Sequence, residues 1–379
     1  MSLAAYLLNN LVVGSTFSNT IENEDLNICA FNLIACLIHN KDIYFHNTKA
    51  TETTFTVEFD GNLDELIELI ETSKTLFHFQ TSGTTGTPKP VTQSAHSLIK
   101  SVVKTQRTNA VTWGFCYSTR HISGILTLLQ ALLTNSNLVD IRNFSPSDLA
   151  NKIKNKGVTH ISAPSTFFRM NFPLPEQISN VQSVTNGGEP FDNDLLKKIT
   201  WSLPGARIRN IYASTEFGPL LVSNEASFTI PEKLKNIVRI QNGTLQVHKS
   251  RLAQNIYDTL DGDWYETNDR IEFVDGQRFN IIGRLTEDVK VLGHLVSLRK
   301  VEAVANNIEA VKISRISSKA HKVFGNLLTL EIVLDAPGSV EKSDISNMLK
   351  MRLRDYEVPS RIKFVEDISM TSSGKMSRV

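Results

Sequence analysis

The spacing of apolar positions changes several times along the chain, and each change predicts an element. Residues 26–38 are apolar on nearly every side and read as a buried helix. Residues 53–59 alternate and read as a short strand. Leu63, Leu66, Ile67 and Ile70 recur at helical spacing and predict an amphipathic helix. An apolar run at 75–80 predicts a strand leading into a loop at 81–89. A helix is then predicted directly, with Ser94 as N-cap and Leu98, Ile99, Val102 and Val103 on its apolar side.

From residue 113 the pattern alternates regularly. Strands are predicted at 113–117, 137–141, 158–163, 181–185 and 206–212. Helices are predicted at 122–133, from 146 onward, at 164–170 and at 192–203, with Ser145 as N-cap and Pro146 as first helical residue of the second. Such alternation implies an α/β fold, a doubly wound, mainly parallel sheet that binds ligands beyond its C-terminal strand ends. Short strands and turns at 221–283 read as a small β subdomain. Residues 296–368 read as a compact α+β module, with helices at 298–307 and 340–353 and strands at 311–316, 327–334 and 361–365.

Composition mainly excludes. The chain has 379 residues, 41% hydrophobic and 21% charged, enough for two or three domains with large cores. A net charge of +1 argues for neither a nucleic acid nor a membrane surface as partner. The longest apolar stretches, 26–38 and 122–133, are too short and interrupted to span a bilayer. Cys29, Cys36 and Cys116 make neither a disulfide framework nor a metal site by spacing, so buried free thiols in a reducing cytoplasm are expected. The first residues lack a basic region and a clear cleavage site, which also fits a cytoplasmic protein.

The densest chemistry lies in the loop Thr81-Ser82-Gly83-Thr84-Thr85-Gly86-Thr87-Pro88-Lys89. Glycines let backbone N–H groups converge on an anion, the hydroxyls add donors, and Lys89 adds charge. That combination suits a polyphosphate. It is not a Walker A loop, because Gly83 and Gly86 are too close and Pro88 precedes the lysine. Three strand ends add candidates. His121 and Gly124 follow the first strand of the alternating region; a lone His at a strand end is either structural or functional, and more often structural. Gly187, Gly188 and Glu189 form a turn that would let a flat ring lie on backbone. Tyr212, Ser214, Thr215 and Glu216 deliver an aromatic, two hydroxyls and a carboxylate, or alternatively open a helix capped by Ser214. Further on, Asp269 stands at a strand edge, where an Asp is commonly a turn former.

Together these segments resemble the adenylate-forming superfamily of acyl-CoA synthetases, peptide-synthetase adenylation domains and luciferases. The resemblance runs from residue 75 to 378, and His121-Ile122-Ser123-Gly124 is similar to the wording of o-succinylbenzoate–CoA ligases. It implies that Thr81, Ser82, Gly83, Thr84, Thr85, Gly86 and Lys89 hold ATP phosphates, and that Gly188, Glu189 and Tyr212 border adenine. By the same resemblance Thr215 holds the α-phosphate, Glu216 binds Mg²⁺, Asp269 and Arg284 hold ribose, and His121 and Gly124 line the acid pocket. Residues 1–283 would be the adenylating core, with a shortened N-terminal part. Residues 284–379 would be a mobile domain that turns about Thr286 and inserts Lys375 during adenylation. The implied reaction makes an acyl-AMP from a small carboxylic acid, then a thioester with CoA. Two alternatives are loading of a carrier protein, and a nucleotide-binding protein without turnover; assembly into a homo-oligomer stays open. Four positions depart from the family pattern: Ala213 and Asn268 stand for Gly, Thr286 for Asp or Lys, and Leu295 for Arg. The last two predict that thiol transfer leans on another basic residue, with Arg299 and Lys300 nearest.

Overall fold

A computed structural model of the protein describes residues 3, 7, 16–21, 25–45, 54–56, 59, 61–81, 89–102 and 111–369. Its centre is a six-stranded sheet in the order Gly218–Ser223, Arg207–Ser214, Ser183–Gly187, His160–Ala163, Thr112–Phe115, Asn137–Asp140. The first pair is antiparallel and the other four pairs are parallel. The chain runs outward from Thr112–Phe115 to the edge strand, then returns to lay His160–Ala163 on the other side. Strand order therefore reverses between Thr112–Phe115 and His160–Ala163, where a doubly wound sheet opens a crevice for ligands.

Three helices cover one face of this sheet: Pro146–Asn155, Ser165–Asn171 and Asn193–Ser202. Local chemistry starts two of them. Ser145 Oγ accepts from the Asp148 N–H with Pro146 in the first turn, and Asp192 Oδ1 accepts from the Leu195 N–H at 2.9 Å. Leu149, Ile153, Leu195 and Ile199 pack there against Ile161, Val184 and Ile208. The strands' other face carries Trp113, His160, Ser162, Thr185, Arg207 and Arg209, which alternate with those core residues. Strands buried on both faces would be apolar at nearly every position. Only one face here has that character.

A three-stranded sheet stands beside it, formed by Ile43–Tyr44, Leu76–Thr81 and Lys89–Ser94. This corrects the expectation of a strand, a loop and then a helix. A second strand intervenes, so the 81–89 loop is the tip of an antiparallel hairpin, and the Ala95–Ser101 helix begins only after it. No helix N-terminus therefore follows the loop directly. The strand escaped detection because Lys89 and Pro90 begin it, both exposed, and Val91 is its one buried apolar residue; Gln93 takes the other inward position and is buried. Ser94 does cap the helix, accepting from the Ser97 N–H at 3.2 Å. The helices Leu26–Ile38 and Leu63–Thr72 fall where expected, the first capped by Asp25 and the second by an Asn62–Glu65 capping box. They share a core with the Ile122–Leu133 helix through Leu33, Leu37, Leu66, Ile70, Leu128 and Leu132. The expected strand at 53–59 is present as Thr54–Thr56, paired with Thr16–Ser18; positions 53, 57 and 58 and Val103 lie outside the described residues.

A four-stranded antiparallel sheet follows: Val238–Gln241, Thr244–His248, Trp264–Phe273 and Phe279–Arg284. The hairpin of Asp288–Val291 and His294–Ser297 leads to a last module. There the strands Val311–His321, Gly325–Leu334 and Arg361–Phe364 form a sheet. The helices Leu298–Asn306 and Lys342–Lys350 cover it, burying Val301, Ala305, Ile345 and Leu349 against Leu330 and Ile332. This module meets the preceding part through Met170, which packs on Ile313, Val333 and Ile368. An Arg270–Asp288 ion pair at 2.8 Å adds a second contact.

Candidate active site

A cavity of about 780 Å³ lies along the polar face of the six-stranded sheet. Its lining includes His121, Gly188, Thr215, Glu216 and Arg284, gathered from four separate parts of the chain. The Arg207–Ser214 strand carries the first of the critical turns. It reverses at 215–217 and returns as Gly218–Ser223, so the alternative of a helix opened by Ser214 does not occur. Ser214 Oγ instead accepts from the Glu216 N–H at 3.1 Å, which sets the turn. Gly218, at a φ of 68°, closes it in the left-handed region.

Two side chains outside every sequence motif fix this turn against the hairpin. Gln93 Nε2 donates to Thr215 O at 2.7 Å. Asn255 Nδ2 donates to Pro90 O at 2.9 Å, and its Oδ1 accepts from the Thr92 N–H at 3.0 Å. The Ala253 N–H donates to Glu216 O at 2.7 Å. Hairpin, turn and the Gln254–Thr259 helix are thus bound together. The one sequence signal was a polar residue, Gln93, at an inward strand position. Thr81 and Lys89 are register partners, so the two ends of the loop face each other across the hairpin. Gln80, just before it, lines the cavity. Ser82, Gly83, Thr84, Thr85 and Gly86 lie outside the described residues, as does Lys375.

Asp269 forms the second constellation. It is buried, with Oδ2 accepting from the Tyr212 hydroxyl at 2.5 Å and Oδ1 from Arg284 Nε at 2.8 Å. Burial, and then the Asp269 charge, push the Tyr212 phenol well above the ordinary tyrosine range, so it stays protonated and donates. The Tyr212 ring is buried near Phe217 and Phe228, at centroid distances of 5.6 and 6.5 Å, while its neighbour Ala213 lines the cavity. Asn268 has a φ of 60°. Asn tolerates the left-handed region better than most residues, which explains how it can stand where the resembled motif has Gly.

Other expected site residues divide between lining and support. His121 lines the cavity and caps the Ile122–Leu133 helix, its Nδ1 accepting from the Ser123 N–H at 3.2 Å. Gly124 serves packing: a Cβ there would stand 2.1 Å from Ser118 O. Gly188 lines the cavity at a φ of 82°. Glu189 turns away to the Ser165–Asn171 helix, where Oε2 accepts from the Thr166 N–H at 2.7 Å. Thr286 sits in a single helical turn, Leu285–Glu287, between Arg284 and the following hairpin.

The expected basic substitutes for Leu295 are already engaged. Arg299 Nε donates to Glu287 Oε2 at 2.6 Å and its Nη2 to Oε1 at 3.1 Å. Lys300 Nζ donates to both Glu357 oxygens, at 2.7 and 3.0 Å. Leu292 and Leu295 are exposed on the hairpin.

The family model described as AMP-binding enzyme matches residues 37–240. The chain belongs to this AMP-binding enzyme family. Among curated relatives, the D-alanine–D-alanyl carrier protein ligase of Staphylococcus aureus is 26% identical over 360 residues, covering 82% of this chain and 71% of that protein. Bacitracin synthase 3 of Bacillus licheniformis is 22% identical over 338 residues. That match covers 79% of this chain but spans only 5% of the synthase. The fold agrees with o-succinylbenzoate CoA synthetase (MenE) from Bacillus subtilis in complex with the acyl-adenylate intermediate OSB-AMP. The TM-score is 0.66 at 17% identity, covering 98% of this chain and 90% of that one. An E. coli MenE variant with bound OSB-AMS gives 0.68 at 20% identity, covering 96% and 86%. Among the described residues, no helix of this AMP-binding protein is long and apolar enough to cross a membrane.

Proposed function

We propose that this AMP-binding enzyme converts a small carboxylic acid to its acyl-adenylate with ATP, then transfers the acyl group to the thiol of CoA. In the first step a carboxylate oxygen bonds the α-phosphorus and the bond to the departing pyrophosphate breaks. In the second the thiol sulfur bonds the acyl carbon and AMP leaves. The observation supporting this most strongly is the pairing of two carboxylates in different settings. Asp269 is buried and fixed by Tyr212 and Arg284, while half-buried Glu216 stands in the cavity. A carboxylate has about four acceptor sites, so Asp269 can take ribose hydroxyls while keeping both present partners. Asp269, with Arg284 beside it, would orient the nucleoside. The Thr81–Lys89 loop and Thr215 would hold phosphate oxygens, and Lys375 would bridge the acid and the α-phosphate. No covalent nucleophile is needed, so positioning and charge carry the catalysis.

Glu216 is the sole carboxylate among the described residues lining the cavity. Magnesium commonly takes one or two carboxylates and completes its shell with phosphate oxygens and water, so the donor set fits. Held by Glu216 and loop hydroxyls, Mg²⁺ would supply charge neutralisation for the pyrophosphate. The test is acid-dependent exchange of labelled pyrophosphate into ATP over a panel of acids. Lys375→Ala should lower that exchange by about 10² to 10³; unchanged exchange in the variant contradicts its role.

A second reading has its own support. Arg299 and Lys300 are tied in ion pairs, and the hairpin before them presents exposed Leu292 and Leu295. That surface suits the pantetheine arm of a carrier protein better than the phosphates of CoA. Comparing CoA, pantetheine and a holo carrier protein as acceptors decides: faster transfer to the carrier replaces the CoA reading. Loss of turnover, the third possibility, is opposed by the intact Asp269 and Glu216.

A further inference from the structure

Rows of side chains cross the polar face of the sheet at right angles to its strands. Register places Gly187 opposite Ile211 and Thr185 opposite Arg209, with Ser162 opposite Thr185 in turn. One step deeper, Arg207 stands opposite Ser183, Ser183 opposite His160, and His160 opposite Trp113. All these residues line the one cavity. Successive rows on one face lie about 7 Å apart, two residues of strand rise. The cavity thus runs from the glycine turn and Glu216 down to a floor carrying two guanidinium groups.

That floor is unusual for a parallel sheet. Arg209 is half-buried and Arg207 is exposed, and a half-buried arginine in a cavity is normally matched by a carboxylate. Among the described residues no carboxylate pairs with Arg207 or Arg209, and the lining's sole carboxylate, Glu216, lies beyond the far end of their strand. Trp113 Nε1–H also finds no acceptor among the described residues. The Trp113 and His160 rings lie 4.9 Å apart and form an apolar shelf beside the charges. Burial, and then Arg209, lower the His160 pKa, so the imidazole is neutral near pH 7 and the floor's positive charge belongs to the arginines.

We infer that the acid accepted in this cavity carries a second anionic group at its distal end, which Arg209 and Arg207 bind. The inference rests on the acid-activation reading for what happens at the other end of the molecule. A planar guanidinium matches a carboxylate in a two-point contact, which favours a dicarboxylic acid over its monoacid analogue. With the reacting carboxylate beside Gly187 and Gly188, a spacer of about 7 Å reaches the Arg209 row.

The experiment titrates the protein with adipate and with hexanoate by calorimetry, each at saturating AMP. Adipate is expected to bind about tenfold to a hundredfold tighter. Arg209→Met and Arg207→Met should each shrink that preference, and Arg209→Lys, which keeps the charge but loses the two-point contact, should retain only part of it. Adipate binding that is no tighter than hexanoate binding, or absent, overturns the inference. So does a preference untouched in both methionine variants. Pyrophosphate exchange with adipate is scored separately. A charge preference in binding without exchange supports the anion site and removes acid activation, whereas exchange with monoacids alone removes the anion site and keeps activation.

Discussion

Alternate residues of the same strands build the two faces of the six-stranded sheet, and the faces differ in kind. Ile161, Val184 and Ile208 face three helices and are buried among apolar side chains. Their neighbours Ser162, Thr185 and Arg209 face a cavity. Position in the chain is almost identical; what changes is whether the side chain meets a helix or a space to be filled by a ligand. The first face converts apolar area into stability. The second holds polar and charged groups that gain full value only when a ligand satisfies them.

The sharpest way to break this contrast is to substitute adjacent residues. Ile161→Ala should lower unfolding free energy by about 2–5 kcal/mol, and Ser162→Ala by less than about 1 kcal/mol, read from denaturant midpoints. Equal losses would mean that both faces are structural. A second effect concerns ligand and not stability. Asp269→Asn keeps the side chain's shape but removes its charge, and should weaken AMP binding about tenfold to a hundredfold by calorimetry. Unchanged affinity would remove Asp269 from the nucleoside site.

Smaller effects test residues that support the cavity without lining it. Gly124→Ala should destabilise the protein by about 1–3 kcal/mol, since its methyl group would meet backbone at Ser118. A neutral outcome would reopen a lining role for that glycine. Glu189→Gln weakens a charged cap on the Ser165–Asn171 helix and should lose about 0.3–1 kcal/mol, with AMP affinity unchanged. A large drop in AMP affinity would instead place Glu189 at the nucleotide.

What could be read beforehand follows the same division. The helices at 26–38 and 122–133 match their expected bounds because dense apolar runs meet clear caps at Asp25 and His121. The β-α alternation announced the central sheet for the same reason: periodicity reports burial. The Lys89–Ser94 strand was missed because a buried Gln93 takes the place of an apolar residue. The hairpin strands Val311–His321 and Gly325–Leu334 run past their expected ends because 317–319 are exposed and polar. Motif residues such as Glu216 and Asp269 were legible from local wording. Gln93, Asn255, Arg207 and Arg209 were not, because their roles depend on register between distant segments. Arg299 and Lys300 were legible as basic residues, but their carboxylate partners, Glu287 and Glu357, appear only in three dimensions.

In the proposed reaction an acid's own oxygen attacks the α-phosphorus of ATP in this cavity. Supplying the acid with ¹⁸O in its carboxylate, together with ATP, Mg²⁺ and a thiol acceptor, tests it directly by mass spectrometry of the products. The expected product is AMP carrying one ¹⁸O atom, left behind when the thiol displaces it. AMP without label, or label in inorganic phosphate accompanied by ADP, would contradict it.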